Sequence, residues 1–395
     1  MNKFLTDKVN NLAASATLAM AAKARELRSK GVDVIGLSLG EPDFNIPEFI
    51  KDAAVKAIND NYNSYTPVDG YVDLKKSISR KFSRDNNLNY SASQIVVSTG
   101  AKQSIVNAIM SLVNPGDEVI IPTPYWVSYS AMVTLAEGVS VFVNPKDSSH
   151  KITADQLESA ITNKTKMLML NSPNNPSGSV FTNDEYLEFS KVLEKYPDII
   201  VISDEIYEHI NYDFKTPSFA SIPKMFDRTI TVNGVSKAFA MTGWRIGYLA
   251  ASKKIAKACN KMQGQITSGA NCIAQQAAIK ALMEPPSKVQ YMVEEFQIRR
   301  DLIIKLLNQI EGFRIDEPPS GAFYVFPDIS SFFGKEIKGK KINNSSDFAM
   351  LLLEVAHVAT VPGDAFGSPN CLRISYAASR EDLESAINRI KSFLS

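Results

Sequence analysis

The sequence predicts an α/β fold built around a seven-stranded, mostly parallel sheet. Short apolar runs alternate with segments of helical periodicity, and this alternation is typical of buried strands that are joined by helices. The chain has 395 residues, more than one hydrophobic core usually serves, so we also expect a second, smaller domain. The seven apolar runs are 95–97, 119–121, 139–143, 167–170, 199–202, 230–232 and 246–250.

The second domain is predicted from a change of pattern after about residue 290. A charged helix through 294–305 precedes strand candidates at 323–326 and 372–374, which indicates a smaller α+β domain. The first 45 residues should join it, because the main sheet begins only near residue 95. The predicted division is 1–45 for an N-terminal arm and part of the small domain, 46–290 for the large domain and 291–395 for the small C-terminal domain.

Two other segments have distinct local patterns. Apolar residues at helical spacing predict two helices between residues 48 and 86, and the polar segment 61–67 forms the loop between them. The stretch 334–346 is polar and rich in lysine, which predicts a mobile surface loop.

Composition excludes several classes of partner. The formal net charge is only +1, without a concentrated basic stretch, so nucleic acid is not an expected partner. A membrane partner is not expected either, because no run of about 18 apolar residues occurs. The polar start, residues 1–7, favours a cytoplasmic location. Cys259, Cys272 and Cys371 are widely spaced, which indicates reduced thiols and neither a disulfide framework nor a metal site.

Lys237 is the leading candidate for a catalytic residue. It stands in the segment 233–247, directly after a predicted strand, where small neighbours leave room for a bulky adduct. Arg245 in the same segment could present a planar fork of donors to a phosphate. A lysine in such a place is by itself more often a solvated surface residue, so the neighbouring motifs decide between the two interpretations.

Asp204 is predicted at the carboxyl end of a strand, the edge of an α/β sheet where ligands collect. An ionised carboxylate there could keep the pyridine nitrogen of a bound ring protonated, and Tyr207 could donate to a hydroxyl on that ring. The alternative for Asp204 alone is a helix N-cap.

Three further segments add polar or flat groups. The turn-rich loop 171–178 contains Asn175, which can both donate and accept, and the Asn175–Pro176 bond is a candidate cis peptide. The turn 98–103 ends a strand and opens a helix, so its free N–H groups could bind an anion, although such turns are common. Trp126 could stack on a cofactor ring or simply pack in the core.

Arg373 stands in an otherwise apolar strand candidate. Burying a guanidinium without an anionic partner is costly, so a carboxylate clamp would explain its position. The alternative is a structural ion pair, with Asp364 or Glu354 as the partner.

Taken together, these segments resemble the fold type I pyridoxal-phosphate enzymes, and among them the class I aminotransferases of the bacterial-type aspartate aminotransferase branch. The resemblance spans nearly the whole chain. The motifs at 38–44, 65–67, 174–176, 203–207, 233–247 and 320–324 stand in the order of that family.

The resemblance implies pyridoxal 5'-phosphate as the cofactor, bound in the large domain and held by Lys237 as a Schiff base. It also implies a homodimer with shared active sites, since Tyr65 matches the residue that reaches the phosphate of the neighbouring subunit. The other implied cofactor contacts are Asp204 on the pyridine nitrogen, Tyr207 and Asn175 on the ring oxygen, Trp126 above the ring, and Gly100, Ala101, Lys102, Ser236 and Arg245 at the phosphate. Gly40, Asn175, Trp126 and Arg373 are implied for the substrate and its α-carboxylate.

The implied reaction is transamination between an L-amino acid, expected to be aspartate, and 2-oxoglutarate in a ping-pong order, with Lys237 as anchor and general base. Lys102 matches a position that pairs with a distal carboxylate; a phosphate-side or surface charge is the alternative. Aromatic or prephenate transamination and β-elimination use the same scaffold. Two positions depart from the family pattern: Gly234 replaces a frequent hydroxyl, and Ala13 replaces a frequent lysine.

Overall fold

The computed structural model describes residues 4–10 and 12–394 and has the predicted α/β fold; the first three residues of the polar start lie outside the described residues. Each of the seven apolar runs falls within or adjoins one strand of a single seven-stranded sheet. The strands are β1 (Ile35–Gly36), β2 (Ile95–Thr99), β3 (Glu118–Pro122), β4 (Val139–Val143), β5 (Thr165–Asn171), β6 (Ile200–Asp204), β7 (Thr229–Gly234), β8 (Ile246–Ala250), β9 (Tyr324–Val325), β10 (Glu336–Ile337), β11 (Lys340–Lys341), β12 (Val358–Ala359), β13 (Val361–Pro362) and β14 (Leu372–Ser375).

Helices connect these strands, and local sequence explains several of their starts. Thr153 and Thr182 begin helices with capping boxes, in which the threonine side chain and a Gln or Glu three residues later bond each other's backbone. The helices are α1 (Asp7–Asn10), α2 (Ala16–Ser29), α3 (Glu48–Asn59), α4 (Val72–Asn86), α5 (Ala101–Leu112), α6 (Ser128–Leu135), α7 (Ala154–Ala160), α8 (Asn183–Glu194), α9 (Lys253–Ile266), α10 (Cys272–Met283), α11 (Gln290–Leu307), α12 (Ser345–Leu351) and α13 (Arg380–Leu394).

The large sheet has the order β2-β8-β7-β6-β5-β3-β4, and β8 runs antiparallel to both of its neighbours. Successive side chains of a strand point to opposite faces. Ile202 accordingly joins a core cluster with α5, α6 and α9, whereas Val201 joins another cluster with α8. Both faces of the sheet are therefore covered, which explains why its strands read as continuous apolar runs.

A second core lies around the three-stranded antiparallel sheet β13-β14-β9. It gathers buried residues from α2, from α11 and from the C-terminal third of the chain. The predicted strand at 323–326 is shorter than expected, because only β9 pairs with β14. The division of the chain at residues 45 and 290 stays a prediction.

The segment 334–346, predicted to be a mobile surface loop, has regular secondary structure, so the prediction of a loop is wrong. This segment contains the antiparallel hairpin β10–β11 and the start of α12. Lys338 and Gly339 join the two strands with positive φ angles of 50° and 75°, the conformation that a two-residue hairpin turn requires. The lysines that suggested a loop are exposed side chains of this hairpin.

Three parallel strands end side by side and form the edge at which the site is built. In the register of the sheet, Asn171 at the end of β5 lies opposite Asp204 at the end of β6. Neighbouring β7 ends at Gly234, three residues before Lys237. The loops that follow these strands consequently start from one place.

A buried ion pair holds the turn after β6. Glu208, in that turn, pairs with Lys81 of α4, and both side chains are almost fully buried. Glu208 also accepts from Asn86 at 2.8 Å and from Asn233, at the end of β7, at 2.7 Å. Although burial opposes its charge, Lys81 and His209 hold the pKa of Glu208 at about 2. The pair thus joins α4, β7 and the turn that carries Tyr207.

Replacing Lys81 with Met should strongly destabilise the protein, because the Glu208 carboxylate would stay buried without its cation. We expect the free energy of unfolding, measured in urea, to fall by roughly 3–5 kcal/mol. The wild-type contribution should be complete above about pH 4.5, the ordinary pKa of Glu, and disappear as the pH falls toward 2. The matched variant Lys56→Met, which breaks an exposed pair with Asp60, should have little effect; equal losses would contradict the argument.

Candidate active site

A cavity of about 330 Å³ lies at the edge where β5, β6 and β7 end. The structure brings all but two of the predicted site residues to its wall. The exceptions are Gly100, which lies just behind Arg245, and Tyr65, which lies elsewhere on the surface. The predicted residues that line the cavity are Gly40, Ala101, Lys102, Trp126, Asn175, Asp204, Tyr207, Ser236, Lys237, Arg245 and Arg373.

Lys237 is half-buried in this wall, so the interpretation as a solvated surface residue is wrong. Its Nζ donates to the Gly40 carbonyl at 2.5 Å. Burial lowers the pKa of Lys237 to about 8; Glu41 opposes this shift, and Arg373 adds to it. At neutral pH its amine is therefore far closer to the nucleophilic, unprotonated form than an ordinary lysine is.

Asp204 ends β6 with its carboxylate buried. Oδ2 accepts from the Tyr129 hydroxyl at 2.7 Å, and Oδ1 accepts from the Ile206 N–H at 3.3 Å. Burial raises the pKa of Asp204 to about 6, and these two hydrogen bonds oppose the rise. The N-cap interpretation is wrong, since residues 206–209 form turns and no helix starts there.

Tyr207 and Asn175 approach the cavity from two different loops. The Tyr207 hydroxyl lies 2.8 Å from the hydroxyl of Tyr324. The backbone N–H of Asn175 donates to the Asn171 side chain at 2.9 Å, and this bond anchors the turn-rich loop to the end of β5. The expected cis peptide between Asn175 and Pro176 is present.

Arg373 is buried on β14 without an acidic partner. It donates to Asn175 Oδ1 at 2.9 Å and to the Ser38 carbonyl at 2.5 Å, while its Nε has no hydrogen-bond partner. The proposed structural ion pair is wrong, because Asp364 accepts from Ser346 and Glu354 pairs with Lys340. A buried guanidinium with a spare donor, facing a cavity, is suited to a carboxylate ligand.

A second group of hydrogen-bond donors lies at the start of α5. Gly100 has a φ of 83°, and a Cβ at this position would lie 2.3 Å from Arg245 Nη2. Only glycine lets the guanidinium approach this closely. The first N–H groups of a helix have no acceptor within it, so those of α5 add donors and a favourable dipole. Ser236 lines the same cavity.

Lys102 and Trp126 form one side of the cavity mouth. Lys102 Nζ lies 4.8 Å from the centre of the Trp126 ring, a distance typical of a cation–π contact. Trp126 is half-buried, packs at the margin of a core cluster and also lines the cavity. Its stacking on a cofactor ring stays a prediction. Lys102 remains exposed to solvent while it faces the cavity.

The cavity lining also includes residues that were not predicted for the site, among them Tyr129 and Tyr324. Tyr129 comes three residues after Trp126 and supports Asp204, but nothing in its neighbourhood predicted that α6 would aim it at this carboxylate. Tyr324 could have been found, since it ends the motif 320–324. A Cβ on Gly40 would lie 2.1 Å from the Tyr324 hydroxyl, which explains the glycine.

Two kinds of feature are missing from the part of the chain that the structure describes. Among residues 4–10 and 12–394, no helix is long and apolar enough to cross a membrane. Within the same ranges, no cluster of His, Cys, Asp and Glu side chains is arranged to hold a metal ion.

Comparisons with known proteins agree with this geometry. Residues 32–390 match the family model for aminotransferases of class I and II. A probable aspartate/prephenate aminotransferase from Rhizobium leguminosarum bv. phaseoli is 48% identical over 99% of this chain and 98% of its own. The crystal structure of an aspartate aminotransferase from Rhizobium meliloti has a TM-score of 0.95 at 44% identity, covering 99% of this chain and 98% of its own. That of Thermus thermophilus aspartate aminotransferase with maleate has a TM-score of 0.93 at 38% identity, covering 99% of both chains.

Proposed function

Because this chain belongs to the aminotransferases of class I and II, we propose that it transfers the amino group of L-aspartate to 2-oxoglutarate with pyridoxal 5'-phosphate as its cofactor. One observation carries the proposal. A lysine whose burial favours the neutral amine shares one cavity with a buried carboxylate, Asp204, and a buried guanidinium, Arg373. These are the partners that a pyridine nitrogen and a substrate carboxylate need.

The donor set suits pyridoxal phosphate at each of its polar groups. The corner of Gly100, Arg245 and the start of α5 would hold the phosphate, with Ser236 as a further hydroxyl. Asp204 would face the pyridine nitrogen. Tyr207 and Asn175 would hold the ring oxygen, Trp126 would cover the ring face and Lys237 would be the covalent anchor.

When bound, the protonated pyridine ring withdraws electrons and thereby acidifies the α-carbon of the amino acid. The protein then has three tasks. Asp204 holds the proton at the ring nitrogen, Arg373 orients the substrate through its α-carboxylate, and the Lys237 amine takes up and returns the α-proton. Burial favours this last task, because a general base works best when its pKa lies near the working pH.

The same cavity would bind donor and acceptor in turn, which is a ping-pong order. Arg373 would bind the amino acid and the 2-oxo acid in the same way, because both carry an α-carboxylate. Lys102 at the mouth offers a second positive charge for a distal carboxylate. A dicarboxylic pair of substrates would use both charges; the similar Thermus thermophilus structure contains maleate, a dicarboxylate.

Prephenate is a second candidate substrate. The name of the Rhizobium leguminosarum relative includes prephenate as well as aspartate. This chain has Ala13 where lysine is frequent in the family. It therefore lacks any contribution that this basic side chain would make to the binding of a bulky dicarboxylate. We therefore place aspartate before prephenate.

We also propose a homodimer with shared active sites. Tyr65 is fully exposed within one chain and lies outside its cavity. Val55, Ile58 and Val72 of the neighbouring helices α3 and α4 are exposed as well. Exposed apolar side chains on the helices that flank an exposed motif residue in the sequence are what a subunit interface would cover.

The visible spectrum provides the first test of the proposed reaction. Purified protein supplied with pyridoxal phosphate should show a visible band that bleaches with aspartate and returns with 2-oxoglutarate. The Lys237→Ala variant should bind the cofactor and lose multiple turnover, because it lacks both anchor and base. Bleaching by aromatic amino acids alone would contradict the choice of aspartate, and the absence of any band would contradict the cofactor.

Replacing Lys102 with Ala tests the charge at the cavity mouth. We expect kcat/KM to fall roughly tenfold or more for aspartate, because the distal carboxylate loses a charged partner, and to change less than about twofold for alanine. Steady-state kinetics with both amino acids measures the difference. Lys51→Ala, an exposed lysine on α3 paired with Glu48, is the control. Equal losses for both substrates would show that Lys102 has another role.

Mixed dimers test the shared site. Tyr65→Ala and Lys237→Ala subunits are each expected to be impaired alone, but a hybrid restores one site with both native residues. Random reassociation should make half of the dimers hybrids with one intact site of two, so we expect about a quarter of the wild-type activity. Native mass spectrometry verifies that hybrids have formed, and activity is then assayed at limiting cofactor. Hybrids no more active than the summed parents would argue against sharing.

A further inference from the structure

Tyr129 belongs to the proposed active site although no motif assigns it a role. Its hydroxyl donates to Asp204 Oδ2 at 2.7 Å, and its side chain is only 2% exposed. Its ring meets the ring of Trp126 edge-to-face, with centroids 5.4 Å apart. Tyr129 is therefore fixed between the carboxylate and the flat side chain that would cover the cofactor.

The direction of this hydrogen bond is fixed by chemistry. Burial and the charge of Asp204 raise the pKa of Tyr129 well above its ordinary value, so the hydroxyl keeps its proton and donates. A donor stabilises the ionised form of a carboxylate. Burial has the opposite effect and raises the pKa of Asp204 to about 6. The Tyr129 bond thus opposes neutralisation of Asp204.

We infer that Tyr129 is a positioning residue that keeps Asp204 charged and aimed at the ring nitrogen of the bound cofactor. The inference rests on the proposed function. Asp204 Oδ1 takes one backbone N–H and Oδ2 takes the phenol, while a carboxylate can accept about four hydrogen bonds. Room remains for a pyridinium N–H. Without the phenol, the shared proton would move from the ring nitrogen toward Asp204, and the ring would withdraw electrons less strongly.

The variant Tyr129→Phe removes the donor and preserves the ring. In the cofactor-free protein, the midpoint of the Asp204 carboxyl titration, followed by carbon-13 NMR, should rise by at least about one unit. With cofactor labelled at the ring nitrogen, the nitrogen-15 shift should move toward that of a neutral pyridine. The kcat for aspartate should fall roughly tenfold or more, with a smaller change in KM.

Tyr90→Phe is the matched control, because the buried Tyr90 hydroxyl bonds Thr231 at 3.1 Å, away from the cavity. It should leave the nitrogen-15 shift and kcat unchanged. In an Asp204→Asn background, the Tyr129 substitution should have no further effect on kcat, since its role acts through Asp204.

The outcomes separate this inference from the proposed function. A wild-type ring nitrogen that is protonated, together with an unchanged nitrogen-15 shift in Tyr129→Phe, would overturn the role of Tyr129 and leave the proposed function in place. A wild-type ring nitrogen that is not protonated would overturn the role proposed for Asp204 and that of Tyr129 with it, even if the Asp204 midpoint moves. Only a visible band that aspartate fails to bleach would overturn the proposed function.

Discussion

The removal of three charged side chains from water is the constraint on which the site depends. Asp204, Lys237 and Arg373 are all withdrawn into one cavity wall, where an uncompensated charge is costly. Each is held by neutral groups: a phenol for Asp204, a backbone carbonyl for Lys237, and an amide and a carbonyl for Arg373. Because none of them spends its charge on a direct ion pair, all three remain available to a ligand.

The fold makes this arrangement possible by bringing distant segments to one edge. Asp204 and Lys237 come from the ends of adjacent parallel strands, whereas Arg373 comes from the small antiparallel sheet near the end of the chain. The buried pair of Lys81 on α4 and Glu208 fixes the turn that follows β6. Such a pair is weak as a source of net stability, but removing one partner is costly. Its position suggests that it maintains the geometry of the site more than it adds stability.

The sequence was most informative where one side chain or one strand could be interpreted alone. Strands covered on both faces produce apolar runs that need no knowledge of the tertiary structure, and all but two of the residues predicted for the site lie at the cavity. Contacts between segments were not accessible in the same way. Tyr129 reaches Asp204 across 75 positions, and no local pattern encodes that distance. Tyr65 lies outside the cavity of its own chain, as the proposed homodimer requires. The hairpin β10–β11 was missed because positive φ at Lys338 is unusual for that residue type.

The groups proposed to serve every substrate and the group proposed to select among substrates differ in how firmly the chain fixes them. Asp204 and Arg373 are buried, and their partners permit little movement. Lys102, the proposed contact for a distal carboxylate, is exposed at the mouth beside Trp126. An exposed charge is screened by salt and attracts many anions, whereas a buried guanidinium selects a planar carboxylate. Cofactor and reaction type therefore follow from the buried groups, which are common to the scaffold. We expect substrate range to depend on groups at the rim such as Lys102, because an exposed side chain can be exchanged with little effect on the rest of the site.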